Sequence, residues 1–215
     1  MSIIASSTSP MSNFKPVPAG MHLARCYRII DLGTQTSTYQ GKTNHLHKIL
    51  VGFEVHGEDA DGTPTRTDEG KPMVIGKQYT LSLNEKANLR ADLASWRGRD
   101  FTDEEARGFD LKNILGHWAM ISVTTSSRDG KEYTNISNVN PVPTAIKKAG
   151  LPEGENELVY WSISEGSLEE LEKFGRGIQE KIKSSPEYQR RVGVAQDYAK
   201  ATGGSFDDLK DDIPF

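Results

Sequence analysis

Cationic and aromatic side chains recur together along the chain. Tyr39, Lys42, His45, His47 and Lys48 fall within one short stretch, and Phe53 follows. Lys77 and Tyr79 are two apart, Arg97 and Arg99 follow Trp96, and Arg128, Lys131 and Tyr133 flank an Asp-Gly pair. Lys and Arg can neutralise phosphates, and flat aromatic faces can stack on bases. A protein that holds a single nucleic-acid strand without reading its sequence needs both. Each aromatic also has a packing alternative. Phe53 and Trp96 share strand parity or helical phase with aliphatic residues, and Trp118 opens an apolar strand, so all three suit a core.

Other chemistries are less well provided for. His45-Leu46-His47 would put two imidazoles on one side of a strand, but no nearby Asp, Glu or Cys completes a ligand set, so no metal site is expected. Cys26 is the single cysteine, which excludes an internal disulfide framework and a CxxC metal site and fits a reducing cytoplasm. It sits mid-strand with no activating neighbour, so a nucleophilic role is not expected. The acidic run Asp103-Glu104-Glu105 could feed a metal-dependent nuclease; it reads better as the first turn of a helix, where anions are favoured. Patterns for phosphate loops, zinc proteases and serine hydrolases do not occur. The reading is therefore a non-enzymatic chain with no cofactor.

The elements that must carry these residues follow from periodicity. The chain has 215 residues, 35% hydrophobic and 26% charged, with 20 Gly and 10 Pro, enough for one domain with an appendage and many turns. No apolar run reaches the ~18 residues that would span a bilayer, and the N-terminus lacks the basic start of a secretory signal. Alternation predicts strands at Gly20–Gly33, Leu46–His56, Met73–Leu83, Trp118–Thr125 and Glu132–Val142, the last two joined through Asp129-Gly130. Between the third and fourth strands, Leu89, Leu93 and Trp96 fit a helix over Glu85–Trp96 capped by Asn84, and Thr102 with Glu105 makes a capping box. Strand-strand-strand-helix-strand-strand is the order of the OB-fold, a five-stranded Greek-key barrel. The expected fold is mainly β: an OB barrel over residues 14–143, after a mobile segment 1–13. In that fold the face of strands 2 and 3, with the loops β1–β2 and β4–β5, holds oligonucleotides.

Residues 144–200 read as a connector with a short strand near Leu158–Ile163 and a helix over Ser167–Ser184. In that helix Leu168, Leu171, Phe174, Ile178 and Ile182 form an apolar stripe, with Glu169–Lys173 and Glu172–Arg176 as supporting pairs. The stripe either docks on the barrel or joins chains into a homo-oligomer. Another helix starts at Pro186 and runs towards Lys200.

The net charge is −4, and the ten residues Phe206–Phe215 carry four Asp and one Lys. Asp207, Asp208, Asp211 and Asp212 would steer towards a basic surface, while Ile213, Pro214 and Phe215 offer an apolar anchor. This segment resembles the acidic tip of bacterial single-stranded DNA-binding proteins, which recruits replication, repair and recombination enzymes. Phe14–Gly20 and Ile30–Gln35 resemble the opening of phage-encoded OB-fold proteins that travel with recombination and replication genes. The long linker of the bacterial family is absent, so the resemblance is to a phage-type relative. It implies binding of single-stranded DNA with little sequence preference, recruitment of partners through residues 201–215, a host-cytoplasm location and no membrane. Two rivals stand beside it: a recombination adaptor whose barrel binds protein, and the metal-dependent nuclease.

Overall fold

The computed structural model describes residues 15–39, 41–128 and 131–193, and the chain there is mainly β. The strands are β1 (Gly20–Tyr39), β2 (Lys42–His56), β3 (Val74–Thr80), β4 (Trp118–Arg128), β5 (Lys131–Asn140) and β6 (Val159–Trp161). They form one sheet in the order β3-β2-β1-β4-β5, antiparallel throughout, with β6 added parallel to β1. Among the described residues six strands form: the five expected before residue 143 and the short one expected near Leu158–Ile163. Lys77 Nζ of β3 donates to Ser137 O of β5 at 3.2 Å, bringing together the two ends of the hydrogen-bonded path.

β2 shows why the sheet is layered on both sides. Ile49, Val51, Phe53 and Val55 alternate into one core, as their period of two requires, yet Leu50, Gly52, Glu54 and His56 between them are buried as well. β1 serves the same two layers by changing register. Ala24 and Cys26 enter the first core; register shifts then fall between Cys26 and Arg28 and between Asp31 and Gly33. An extra residue in a strand reverses which face the following side chains meet. Ile29 accordingly joins the first core, while Ile30 and Leu32 join a second.

The first core is closed by α1 (Asn88–Arg97), α2 (Asp103–Arg107) and a 3₁₀ turn (Leu111–Ile114). Leu89 and Leu93 of α1 are buried, and Trp96 packs on Phe53 with ring centres 5.7 Å apart. α1 starts later than its periodicity suggests: its N-cap is Ala87, and Asn84 contributes only its carbonyl, to a turn with Ala87 N–H. The capping box of α2 is present in both directions between Thr102 and Glu105.

The second core lies under the C-terminal segment. After α3 (Thr144–Ala149) and β6 come α4 (Leu168–Glu172) and α5 (Arg176–Lys183), and residues 186–193 are helical. The single helix expected over Ser167–Ser184 is thus two, separated at Phe174-Gly175, with Gly175 as the N-cap of α5. The break changes the ion pairs, which run Lys183–Glu172 and Arg176–Glu180 instead of those expected. The apolar stripe survives it. Leu171 and Ile182 are fully buried with Ile30, Leu32, Leu50, Trp161 and Ile163, and Leu168, Phe174 and Ile178 pack around them. The stripe docks on this chain's own sheet. Among the described residues no helix is long and apolar enough to cross a membrane.

Gly33 marks a close approach of the two layers. Its φ is +67°, and a Cβ there would lie 2.5 Å from Ser185 Cβ and 2.7 Å from Ile163 Cδ1. Gly98 has φ +73° but open space around it. Gly98→Ala should cost only the left-handed penalty, about 1–2 kcal/mol, whereas Gly33→Ala should cost a further ~1–3 kcal/mol through overpacking. Denaturant midpoints of the two variants check this; equal losses would show that the C-terminal segment yields freely.

Candidate nucleic-acid interface

The β1–β2 and β4–β5 hairpins each end in a polar arm. β1 and β2 pair out to Tyr39 opposite Lys42, so Lys42 and His45 lie on a strand and not in the loop their sequence suggested, and His47 and Lys48 lie on the same strand. From Thr36 to Leu46 the described side chains are exposed, as are Thr124–Ser127, Glu132, Tyr133 and Asn135 on the second arm. Composition explains this. Runs of Thr, Ser and Asn favour or tolerate extended backbone but give neither face enough apolar area to bury. Cross-strand contacts hold the first arm: Thr36 Oγ1 and His45 Nδ1 are 3.0 Å apart, and the hydroxyls of Thr38 and Thr43 are 3.3 Å apart. On the second, Asn135 Nδ2 donates to Ser126 Oγ at 3.3 Å. The arms offer hydroxyl and amide groups, the Lys42 ammonium, and two exposed apolar surfaces, Leu46 and Tyr133. The side chains of Tyr39, Arg128 and Lys131, at the arm tips, lie outside the described residues.

Several of the expected contact residues are instead engaged within the protein. Phe53 is 1% exposed and belongs to the first core. Tyr79 is buried and its hydroxyl donates to Asp92 Oδ2 at 2.7 Å; burial, then the Asp92 charge, raises its pKa far out of reach. Lys77 Nζ lies 2.6 Å from the same Asp92 oxygen. Arg97 and Arg99 converge on Glu105, at 2.7 and 2.6 Å. Arg99, the Thr102 N–H and Arg97 together hold the Glu105 carboxyl down to about 2. Arg97 also lies over the Phe101 ring at 4.3 Å. Lys48 is less committed, donating to Thr80 Oγ1 at 2.7 Å.

An oligonucleotide was expected on the face of strands 2 and 3; the C-terminal segment covers the outer face of β1 and β2, and so the β2 part of that face. Sequence reasoning missed the residues that fix it there. Glu54 is fully buried, 2.7 Å from Arg25 Nε and 3.3 Å from His56 Nε2, and accepts from the backbone N–H of Glu155 and of Asn156 and from Asn156 Nδ2. Burial pushes its carboxyl up, but those hydrogen bonds and the Arg25 charge outweigh it and hold it below the ordinary carboxylate range. A second clamp grips the base of the first arm. Asp31 accepts from Gly33 N–H and Ile163 N–H and lies 2.6 Å from His47 Nε2, while Glu187 accepts from both the N–H and the hydroxyl of Thr34. One signal was readable: Glu54 is a carboxylate on the outward parity of an otherwise apolar strand, which a two-sided burial requires to be paired.

The remaining candidates have structural partners or lie outside the described residues. His45 and His47 bind Thr36 and Asp31, and no cluster of three metal-ligating side chains occurs among the described residues. Cys26 is buried, which pushes its thiol up to about 12 and leaves it unreactive at neutral pH. Glu105 serves the α2 capping box. Asp129-Gly130 and the acidic segment Asp207–Phe215 are outside the described residues. Comparison with family models and with curated proteins finds no match to this chain.

Two consequences can be measured. Glu54→Ala would leave Arg25 and the amides of residues 155 and 156 facing a void, and should cost about 3–5 kcal/mol in denaturant unfolding. The His47–Asp31 clamp should depend on pH. The hydrogen bond to Asp31 raises His47 against the opposing effect of burial, with the Asp31 and Glu187 charges adding to it. Asp31 is held low because its hydrogen bonds outweigh burial. The His47 contribution is complete below its ordinary 6.5 and is lost as pH rises through the raised value; that of Asp31 is present above 3.8 and lost as pH falls through the lowered one. Amide exchange at Thr34 and Gln35, corrected for its intrinsic rate, should quicken as pH rises above 6.5 and through the raised His47 value. His47→Gln should abolish that change.

Proposed function

We propose that this chain is a non-enzymatic single-stranded DNA-binding protein of the OB type, related to phage-encoded members, that binds with little sequence preference. The sheet order β3-β2-β1-β4-β5 with α1 between β3 and β4 fits that barrel, and the Lys77–Ser137 bond is what a closing β3–β5 seam would use. The observation that carries the reading is the pair of exposed polar arms. They are the β1–β2 and β4–β5 connections at which this fold holds oligonucleotides, and they bear Lys42, His45, Leu46 and Tyr133 on their surfaces. With part of the sheet face covered, the strand lies along the arms: Lys42 neutralises phosphate, Tyr133 stacks on a base, and Lys48 can exchange Thr80 for a phosphate oxygen. Residues 201–215 recruit replication, recombination or repair proteins, the Asp side chains guiding approach and Phe215 anchoring, in the host cytoplasm.

A second reading has its own support. Part of a face that usually holds oligonucleotides is covered by the chain's own C-terminal segment, and an adaptor that binds protein would lose nothing by that.

Anisotropy of a labelled oligo-dT, titrated with full-length protein and with a form lacking residues 206–215 over a range of salt, separates the two. Binding should weaken with salt at about −0.7 in log K per log salt for each neutralised phosphate, and Lys42→Ala should reduce the slope by about that amount. Tyr133→Ala should cost ~1–3 kcal/mol of affinity, the worth of one stacked base. If the folded, tail-less protein does not bind at low salt, the single-strand reading fails and the adaptor reading replaces it.

A further inference from the structure

A cavity of about 330 Å³ opens beside α1 and the 3₁₀ turn. It lies at the foot of the β4–β5 hairpin: Trp118 begins β4, and Pro141 follows the end of β5. Its volume is at the small end of the range for ligand sites, about 300–1,000 Å³. Two kinds of side chain dominate its wall. Trp96, Trp118 and Phe109 are aromatic and half-buried, while Arg97, His117 and Lys147 carry nitrogen donors. Among the described residues no carboxylate stands in the wall. Arg97 Nη2 is bound to Glu105, but its Nη1 is buried without a hydrogen-bond partner. A buried donor in that condition is costly unless something else meets it.

These features select a ligand that is flat, anionic and small. Aromatic walls favour a planar group, nitrogen donors with no carboxylate beside them in the wall favour an anion, and the volume suits a single unit. A nucleotide combines all three in one group. The hairpin supplies continuity: the eleven residues of β4 lead about 37 Å from the cavity to the tip of the second arm. A strand lying on that arm can follow the hairpin to the cavity.

We propose that the cavity holds one nucleotide of the bound strand, with its base against the Trp96 and Trp118 rings and its phosphate on Arg97 and Lys147. This rests on the single-strand reading and extends it to a site that the strands-2–3 face and the loops do not include. In this arrangement the arms supply most of the phosphate contacts, and the cavity fixes where along the hairpin the strand is seated.

Tryptophan emission reports the cavity directly. Of the three tryptophans, Trp161 is 1% exposed and sits in the second core, so a change caused by ligand comes from Trp96 or Trp118. Full-length protein is titrated with labelled oligo-dT, and anisotropy and tryptophan emission are recorded on the same samples. Quenching should track binding with the same midpoint. Trp118→Phe keeps the backbone carbonyl that accepts from Trp96 Nε1, and should remove a large part of the quench and weaken binding about fivefold or more. Lys147 is exposed, so Lys147→Ala leaves the core intact and should reduce the salt slope by about 0.7. Binding seen by anisotropy with unchanged tryptophan emission and a wild-type slope for Lys147→Ala would overturn the cavity assignment and leave the single-strand reading standing. Absence of binding in anisotropy would remove both. If deleting residues 206–215 changes the emission without DNA as much as DNA does, the occupant is that segment and the assignment is wrong.

Discussion

Beyond Arg25, β1 no longer has β4 beside it, yet its chain stays inside the protein. β4 pairs with Gly20–Arg25, and β6 pairs with Arg28–Ile30 on the same side. Between them the Cys26 N–H donates to His117 O and the Cys26 carbonyl accepts from Gly116 N–H. Backbone groups buried without partners are expensive, so the strand cannot leave this edge open. That requirement shapes the rest of the molecule. A segment from the far end of the sequence must come back to lie against β1, and once β6 is there it brings Trp161 and Ile163 to the face where Ile30, Leu32 and Leu50 wait.

Apolar burial holds this segment down, but polar groups decide where it lies. Hydrophobic contact is tolerant of small slides; buried charges are not. Glu54 receives the backbone of residues 155 and 156, Asp31 that of Ile163, and Glu187 reaches back to Thr34. These carboxylates and their donors mark the C-terminal segment at its start, middle and end. Each is paired, so the layer has one register on the sheet. The same rule governs the other core, where Asp92 joins α1 to β3 through Tyr79 and Lys77, and Glu105 joins α2 to Arg97 at the end of α1 and to Arg99 just beyond it.

How far the sequence was legible depended on the range of the interactions involved. Local signals were readable. The alternation of Ile49, Val51, Phe53 and Val55 marked β2, and the Thr102–Glu105 spacing marked a cap, because both depend on neighbours within a few residues. The apolar stripe from Leu168 to Ile182 was visible too, although the chain breaks at Gly175 beneath it. Register was not readable: the bulges of β1 leave no compositional mark, so Cys26 and Ile29, of opposite parity, could not be assigned to the same core. Nor were charge pairs between distant residues. Lys77, Tyr79, Arg97 and His47 have the side chains of a nucleic-acid surface; only the fold shows that Asp92, Glu105 and Asp31 stand next to them. The first exposed arm was legible as composition but not as an arm, since Thr36–His45 read as a loop, whereas the second was expected as a hairpin.

The parallel pairing of β6 with β1 also sets a timetable. About 130 residues of synthesis separate the two partners. At about 5–20 residues per second, the edge of β1 beyond Arg25 emerges roughly 7–26 s before the strand that will cover it. Through that interval the nascent chain presents a bare strand flanked by Ile29, Ile30 and Leu32, a template for pairing with any other extended chain. Neighbouring copies on one message are the nearest such chains. A slow ribosome or a chain interrupted before Trp161 prolongs the exposure, and yield in a host is then governed by translation rate and by chaperones as much as by the stability of the finished fold.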